Sequence, residues 1–217
     1  MAKSKATKRW YGFSLRMIWP KNQEPKTWID IFITDTIIRD VISEKQSVIE
    51  LWRIHRRWAR DMKGHELTLD CFTEEKNANS IKKLIRESRP LKFLQENNLL
   101  AEELETATGG ERIRDIADDR STRNWPEELK DSWPYYISGC SEMFLCLIDS
   151  LKGGAKTDID GKDVSEIESY YTEINNRLMN IWQGHGSHAF FHHINAIFGY
   201  QPLIAKPRGI HGILASF

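Results

Sequence analysis

The sequence has few cysteines, no long apolar run and no excess of charge of either sign. Cys71, Cys140 and Cys146 are too sparse for a disulfide framework or a thiolate zinc site, so we expect buried free thiols. The longest obvious apolar run, residues 143–148, is far shorter than the roughly eighteen residues of a membrane span. No apolar signal-peptide region follows the basic start of the chain. We therefore predict a cytoplasmic protein with no membrane partner.

The balance of charge argues against another class of partner, nucleic acid. The 217 residues include 31 basic and 31 acidic side chains, and hydrophobic residues make up 40% of the chain. A general polyanion binder would show a basic excess, so nucleic acid is disfavoured as a partner. A chain of this length buries roughly 70% of its unfolded surface when it folds, so a sizeable core is expected.

Hydrophobic periodicity predicts strands and helices in turn over the first half of the chain. Residues 10–19 alternate as a strand does, and residues 28–43 carry isoleucines at helical spacing after Thr27 as N-cap. Residues 52–71 keep a period of two on both sides of a glycine-containing turn, which predicts a β-hairpin; a helix over residues 47–60 is the alternative. A helix opened by Thr73 and a short helix through Leu94 follow, and a final edge strand is expected over residues 112–116.

This β-α-β-β-α order predicts an α+β fold with a ferredoxin-like antiparallel sheet and an added C-terminal helical layer. We expect a basic flexible leader over residues 1–9, the ferredoxin-like region over 10–132, and a helical region over 133–217 packed on the same core, as one domain overall. The helix from about residue 133 is apolar on most sides, so we expect it to be buried.

A capping box precedes the second long helix predicted in the C-terminal region. Asp163 and Glu166 have the spacing of that motif, ahead of apolar residues at helical spacing up to Ile181. Gly184 and Gly186 are expected to break this helix. Ser187 would then cap a new helix that ends at Gly199.

Four of the seven histidines lie within nine positions at this joint, namely His185, His188, His192 and His193. On a helix His188 and His192 share a face, and apolar side chains, among them Phe190 and Phe191, fill the other. The two could share a metal ion with His185 as a third ligand. One of them could instead act as a general acid or base, or all could be structural. The sequence HAFFH lacks the glutamate of the HExxH motif, and we predict no cofactor.

Arginines of the hairpin form a second candidate group. On a strand Arg53, His55 and Arg57 project from one face and Arg56 and Arg60 from the other. Guanidinium groups suit carboxylate or phosphate ligands. The alternative is a solvated sheet face on which these arginines pair with acids. Stacking of nucleic-acid bases on Trp52 and Trp58 is disfavoured by the charge balance.

The hairpin WRIHRRWARDMKGHELTLDCF resembles the C-terminal, elimination-type domain of lantibiotic dehydratases and thiopeptide-type bacteriocin biosynthesis proteins. The segments WYGFSLRMIW, ETATGGERIRDI and SGCSEMFLCLI extend the resemblance over roughly residues 10–150. That family removes glutamate from glutamylated Ser or Thr in a peptide, or runs a related cyclisation. The resemblance implies that Arg53 or Arg56 matches the arginine of the first hairpin strand. It also implies that His65 opens the return strand and that His188 or His192 matches a later catalytic histidine.

The sequence departs from this family in two respects. The return strand HELTLD has Thr68 and Asp70 where the family carries arginine, and no counterpart of the large glutamylating N-terminal domain is present. We therefore expect either a separate partner for glutamylation or another role for the scaffold.

Three functions follow as hypotheses. The first is a peptide-modification lyase or cyclase with Arg53, Arg56, His65, His188 and His192 as catalytic residues. The second is a non-catalytic module that binds a peptide or protein partner through tryptophans and a basic strand face, with self-association into a homo-oligomer as a further alternative. The third is an enzyme dependent on a metal or cofactor at the histidine cluster, with His185, His188 and His192 as the ligands.

Overall fold

Four strands form one antiparallel sheet in the computed structural model, which describes residues 7–18, 23, 25–57, 64–117, 122–154 and 159–199. The strands are β1 (Lys8–Arg16), β2 (Leu51–Arg57), β3 (Glu66–Glu74) and β4 (Glu105–Thr108), in the spatial order β2-β3-β1-β4. Every pairing is antiparallel. The predicted α+β class is confirmed, and so are the strands of the hairpin. Its connecting residues 58–63, which include Trp58 and Arg60, lie outside the described residues.

The helices account for most of the remaining described chain. They are α1 (Trp28–Ile33), a π-helical segment (Thr34–Ile38), α2 (Arg39–Lys45), α3 (Glu75–Glu87), α4 (Arg89–Glu96), a 3-10 helix (Ile113–Ala117), α5 (Glu127–Lys152), α6 (Val164–Gly186), a second π-helical segment (Ser187–His192) and α7 (His193–Ile197). Helix α1 begins after Thr27 as predicted, although the Thr27 side chain makes no capping hydrogen bond.

The two faces of the sheet differ in character. Phe13 and Leu15 of β1 and Leu67, Leu69 and Cys71 of β3 are buried on one face, which α3 contacts. Strand alternation places Ser14, Thr68 and Asp70 on the other face. There Trp10 donates a hydrogen bond from Nε1 to the carbonyl of Ile113, at 2.8 Å. The apolar core therefore lies on one side of the sheet, and the opposite side is largely polar.

Helix α5 runs beside the edge strand β2. The Ser141 hydroxyl accepts a hydrogen bond from the backbone N–H of Ile54 at 3.0 Å, which gives this edge group a partner. The buried residues of α5 are Pro134, Ser138, Ser141 and Ile148, whereas Tyr135 and Tyr136 are exposed. The expectation of a helix buried on most sides is therefore wrong, because α5 packs through a single stripe of mostly small residues.

The predicted edge strand at residues 112–116 is also wrong. Strand β4 lies earlier in the chain, and residues 113–117 form the 3-10 helix. The carboxylate of Asp115 accepts hydrogen bonds from the backbone N–H and the Nε of Arg112, which holds the chain in a turn. Pairing with β1 ends where Trp10 bonds to Gly109 and Gly110.

The capping box before α6 is confirmed. The backbone N–H of Glu166 donates to Oδ1 of Asp163 at 2.9 Å, and the N–H of Asp163 donates to Oε2 of Glu166 at 3.0 Å. The expected break at Gly184 and Gly186 is wrong, because α6 continues through both glycines into the π-helical segment. Ser187 therefore caps no new helix. Gly199, at φ +74°, follows the last helix as predicted.

The chain divides into two compact units, one ending at Asn176 and the other beginning at Arg177. The sheet and helices α1 to α5 belong to the first unit. The last part of α6, the second π-helical segment and α7 belong to the second unit. Among the described residues, no helix combines the length and the apolar character needed to cross a bilayer.

Candidate functional site

Asp30 of α1 brings together two of the residues selected from the sequence. His65, which directly precedes β3, donates from Nε2 to the Asp30 carboxylate, at 2.9 Å from each oxygen. Arg56 of β2 reaches the same carboxylate, with Nε 2.8 Å from Oδ2. Alternation along β2 turns Arg56 towards the helix-covered face, where Asp30 lies. The site is thus a buried carboxylate with an imidazole and a guanidinium as partners.

Access to this site is through the arginine. The side chain of Asp30 is fully buried and that of His65 is 3% exposed, whereas Arg56 keeps 33% of its side-chain surface in solvent. The Arg56 guanidinium also lies over the ring of Phe144 from α5, 5.8 Å from its centroid. Among these three residues, Arg56 is the group that an external carboxylate or phosphate could reach.

Arg53 occupies the opposite face of the sheet and does not join this site. Its Nε lies 2.7 Å from Oδ2 of Asp70, and both side chains are mostly buried. The pair depends on Gly12 of β1, since a Cβ there would come within 2.8 Å of Asp70 Oδ1. The sequence correctly placed Arg53 and Arg56 on different faces. The predicted catalytic set is therefore split, with Arg56 and His65 together and Arg53 apart.

The first π-helical segment contains a second buried carboxylate, Asp35, which was not predicted as a site residue from the sequence. The Tyr171 hydroxyl donates to its Oδ2 at 2.6 Å, and Nζ of Lys152 lies 2.6 Å from the same oxygen. Arg39 contacts Oδ1 at 3.1 Å. The side chains of Asp35 and Lys152 are 0% and 4% exposed. Two cations and a hydroxyl surround this carboxylate, and the network joins α6 to the end of α5. Its role is to link elements of the first unit.

A signal for both carboxylates is present in the sequence. In the segment WIDIFITDTII, seven of eleven residues are large apolar ones, and Asp30 and Asp35 are its two acids. A carboxylate inside an apolar helix must find charged or hydrogen-bonding partners, because burying it alone is very costly. Attention to acids within apolar runs, rather than to histidine density, would have selected these two positions.

In the second unit the predicted histidine face is present. The rings of His188 and His192 stack with centroids 4.9 Å apart, and His193 meets both rings edge-on at 5.6 Å. His188, His192 and His193 are called the histidine cluster below. Among the described residues, no three His, Cys, Asp or Glu side chains are arranged to hold a metal ion, and this includes the candidate set His185, His188 and His192.

Aromatic side chains form a separate group in the same unit. Trp182 stacks on Phe190 with centroids 5.7 Å apart and meets Phe191 edge-on at 6.0 Å. These three residues are called the aromatic cluster. Gly186 lies beneath the stack, where a Cβ would come within 3.3 Å of Trp182 and 3.5 Å of Phe190. The apolar side of this helical segment is not a buried face, because Phe191 is 43% exposed and Phe198 is 72% exposed.

Of the two hairpin tryptophans, Trp52 is 7% exposed, because it lies on the face of β2 that turns towards the core, and Trp58 lies outside the described residues. A cleft of about 390 Å³ is lined by residues 47–50, which precede β2, and by residues at the start of β1, the end of β3 and the start of α3, including Lys8 and Lys76. None of the site residues predicted from the sequence lines this cleft.

The three cysteines are free, as expected, but only Cys71 is buried; Cys146 is exposed. Burial, reinforced by the charge of Asp70, raises the pKa of the Cys71 thiol well above its ordinary value. Its thiolate is therefore scarce at neutral pH, and Cys71 is a poor candidate for a nucleophile.

Comparisons with known proteins leave the function to be argued from this geometry. No protein-family model, curated protein or solved structure matches the chain.

Proposed function

We propose that the protein is a non-catalytic interaction module whose partner surface is the aromatic cluster and the apolar residues that follow it. The observation that carries this proposal is the exposure of large apolar side chains in the second unit. Trp182 is 50% exposed, Phe191 43%, Ile197 83% and Phe198 72%. In the first unit Trp10 and Trp28 are each 3% exposed, whereas Tyr135 and Tyr136 of α5 are exposed.

Such a concentration of exposed apolar side chains points to binding. Contiguous apolar surface marks interaction sites on monomeric proteins, and tryptophan is among the residues that contribute most to binding energy. Gly186 supports this interpretation, because it lets Trp182 lie flat on Phe190 and so pre-orders the surface. A pre-ordered surface loses less conformational entropy when it binds.

The proposal also covers the fold of the first unit and the location of the protein in the cell. We propose a ferredoxin-like arrangement for the first unit, supported by the β-α-β-β-α-β element order and by the strand order β2-β3-β1-β4 with antiparallel pairs. We also propose a cytoplasmic location, supported by three free cysteines.

Photo-crosslinking in the producing cells tests the interaction proposal. With p-benzoylphenylalanine at position 191, ultraviolet light should yield covalent adducts to a protein or lipid partner, since this position lies in the exposed aromatic cluster. The readout is the appearance of light-dependent bands or lipid-modified peptides by gel and mass spectrometry.

The matched control places the same photoreactive residue at position 83. Lys83 of α3 has a side-chain exposure of 73% and lies in the first unit. It should give no specific adduct. Identical adducts at both positions, or none at position 191, would show that the aromatic cluster is not a partner surface.

A peptide-eliminating enzyme is the second candidate, because Arg56 and His65 meet on Asp30. In this proposal, built on the resemblance to lantibiotic dehydratases, a base removes the α-proton of a glutamylated serine. The bond from the β-carbon to oxygen then breaks and glutamate leaves, its developing charge met by the Arg56 guanidinium. The product is dehydroalanine in the peptide, and a separate partner supplies the glutamylated substrate.

A glutamylated peptide incubated with the purified protein tests this candidate. Mass spectrometry should show loss of one glutamic acid, and Arg56→Ala should abolish that loss in protein that circular dichroism shows to be folded. Arg53→Ala should retain activity, because Arg53 lies on the other sheet face against Asp70. A peptide that stays intact with the wild-type chain would exclude this function for that substrate class.

A further inference from the structure

Helix α5 carries on its outer side a row of residues that are alternately large and small. Because α5 is α-helical throughout its length, residues at steps of three and four along it share one face. Six exposed, uncharged residues follow these steps and are called the seam: Leu129, Ser132, Tyr136, Gly139, Met143 and Cys146. The buried stripe through Pro134, Ser141 and Ile148 lies on nearly the opposite side of the helix. The seam therefore points away from the core of the first unit.

The chain itself gives no reason for Gly139 in this row. The residue lies in the middle of a long helix, where glycine is a poor choice because it loses more conformational entropy than other residues. A Cβ at this position would meet no atom of the described chain within 4 Å, so packing within the molecule does not require its absence. A second molecule that approaches the helix closely at Gly139 would require it.

The seam fits a copy of itself when two α5 helices run antiparallel. With the two-fold axis between residues 137 and 138, each large residue faces a small one: Leu129 faces the partner's Cys146, Met143 the partner's Ser132, and Tyr136 the partner's Gly139. A parallel pair would instead place Tyr136 on the partner's Tyr136 and leave a gap where the two glycines meet. Interdigitation of large and small residues gives the close packing that a helix pair needs.

From the alternation, the open glycine and the antiparallel fit, we infer that the protein forms a two-fold symmetric homodimer in which the seams of two α5 helices pack together. The ring of Tyr136 contacts that of Trp133 with centroids 5.2 Å apart, which holds it in place over the partner's Gly139. The inference does not rest on the proposed function, because the aromatic cluster belongs to the second unit.

The exposed area of the seam suits a dimer of modest affinity. Met143 is 37% exposed, Leu129 41% and Tyr136 47%, and Tyr135 beside the seam is 59% exposed. At about 200 Å² for each large side chain, and with the small seam residues added, roughly 500 Å² per copy would be covered. The total of about 1,000 Å² is at the lower limit of a specific interface.

Polar groups lose little when two seams meet. The Ser132 hydroxyl already donates to carbonyls of the preceding turn, at 3.0 and 3.2 Å, so it can leave water without losing its partners. Tyr135 comes to lie beside the partner's Glu142, whose carboxylate can accept a hydrogen bond from the tyrosine hydroxyl. Asp149, farther along the same flank, is paired with Arg39 at 3.3 Å. The seam itself carries no charge that would have to be desolvated.

Sedimentation equilibrium of the full chain tests the dimer. We expect a monomer–dimer equilibrium with a dissociation constant on the order of 1–100 µM, as suits an interface of this size. Gly139→Gln should raise that constant at least about tenfold, because the added side chain collides with the partner's Tyr136. Circular dichroism should show the variant folded, since the position is open within the chain and glutamine is the better helix former.

The matched control is Gly184→Gln. Gly184 is also a helical glycine at which a Cβ would have nothing within 4 Å, but it lies in α6 near the aromatic cluster. This variant should leave the dissociation constant unchanged. A wild-type chain that stays monomeric up to about 500 µM, or a dimer that Gly139→Gln does not weaken, would overturn the inference. A dimer weakened by Gly184→Gln instead would also overturn it, and would favour self-association through the proposed partner surface.

Oxidative crosslinking tests the antiparallel register separately. Leu129→Cys should yield a disulfide-linked dimer through the partner's Cys146 under mild oxidation. Within one chain the two positions are about 26 Å apart along the helix, too far for a disulfide. Adding Cys146→Ser should abolish the link. Asp131→Cys, at a position 60% exposed near the same end of α5 but off the seam, should give none. Failure of Leu129→Cys to crosslink, or a wild-type dimer linked through Cys146 alone, would contradict the antiparallel seam.

Discussion

Replacing Asp35 by alanine should lower the free energy of unfolding by about 3–5 kcal/mol, the usual effect of breaking a buried ion pair. The variant leaves the Lys152 ammonium, whose side chain is only 4% exposed, without its carboxylate. The Tyr171 hydroxyl loses the acceptor that it meets at 2.6 Å. Because the network joins the end of α5 to α6, its loss should destabilise the packing of both helices. Urea denaturation followed by tryptophan fluorescence measures the change.

Two further variants separate the parts of this network. Tyr171→Phe removes one hydrogen bond to a charged group and should cost about 1.5–3 kcal/mol. Asp149→Ala removes the other carboxylate near Arg39, but the Asp149 side chain is 52% exposed, so its loss should cost less than about 1 kcal/mol. If Asp35→Ala costs no more than Asp149→Ala, the buried network does not stabilise the fold.

Sequence periodicity was most informative where local chemistry determines structure. The alternation of residues 10–19 predicted β1, and the paired alternation in the hairpin predicted β2 and β3. The spacing of Asp163 and Glu166 predicted a capping box that the hydrogen bonds confirm. In each case the residues that decide the structure are close in sequence, so their pattern is visible without knowledge of the fold.

Predictions failed where packing contacts that the residue pattern does not reveal decide the outcome. Strand β4 has only four residues, all exposed and none large and apolar, and its pairing with β1 defines it. Gly184 and Gly186 suggested a helix end, yet the stack of Trp182 on Phe190 occupies the space that a side chain at position 186 would need. A glycine that permits packing and one that ends a helix look alike in the sequence.

At the candidate site, too, the sequence indicated which residues matter but not which of them meet. Arg56 and His65 were selected for their chemistry, and the structure places them on one carboxylate. Their shared partner Asp30 is more than twenty residues from either in the chain, so only the fold reveals the contact. The predicted union with His188 and His192 stays a prediction, because those residues belong to the other unit.

Replacing Asp30 by alanine should cost about 2–3 kcal/mol of unfolding free energy. The effect is smaller than at Asp35, because Arg56 keeps 33% of its side-chain surface in solvent and can be hydrated when its partner is lost. His65 is 3% exposed and loses a hydrogen bond that it cannot replace with bulk water. Urea denaturation again supplies the measurement, with Glu87→Ala as the control. Glu87 forms an exposed pair with Lys83 and should change stability by less than about 0.5 kcal/mol.

A double-mutant cycle tests whether Arg56 and Asp30 act as one unit. Asp30→Ala should cost about 1 kcal/mol less in an Arg56→Met background than in the wild-type chain, since one of its two partners is already absent. Strict additivity would mean that the 2.8 Å contact contributes no coupling to stability.

Variants of Asp30 also test the second candidate function. If Asp30→Asn keeps the fold but abolishes elimination of the glutamylated peptide, the carboxylate positions Arg56 and His65 for chemistry. If stability and activity fall together, the three residues are a buried link between α1 and the sheet.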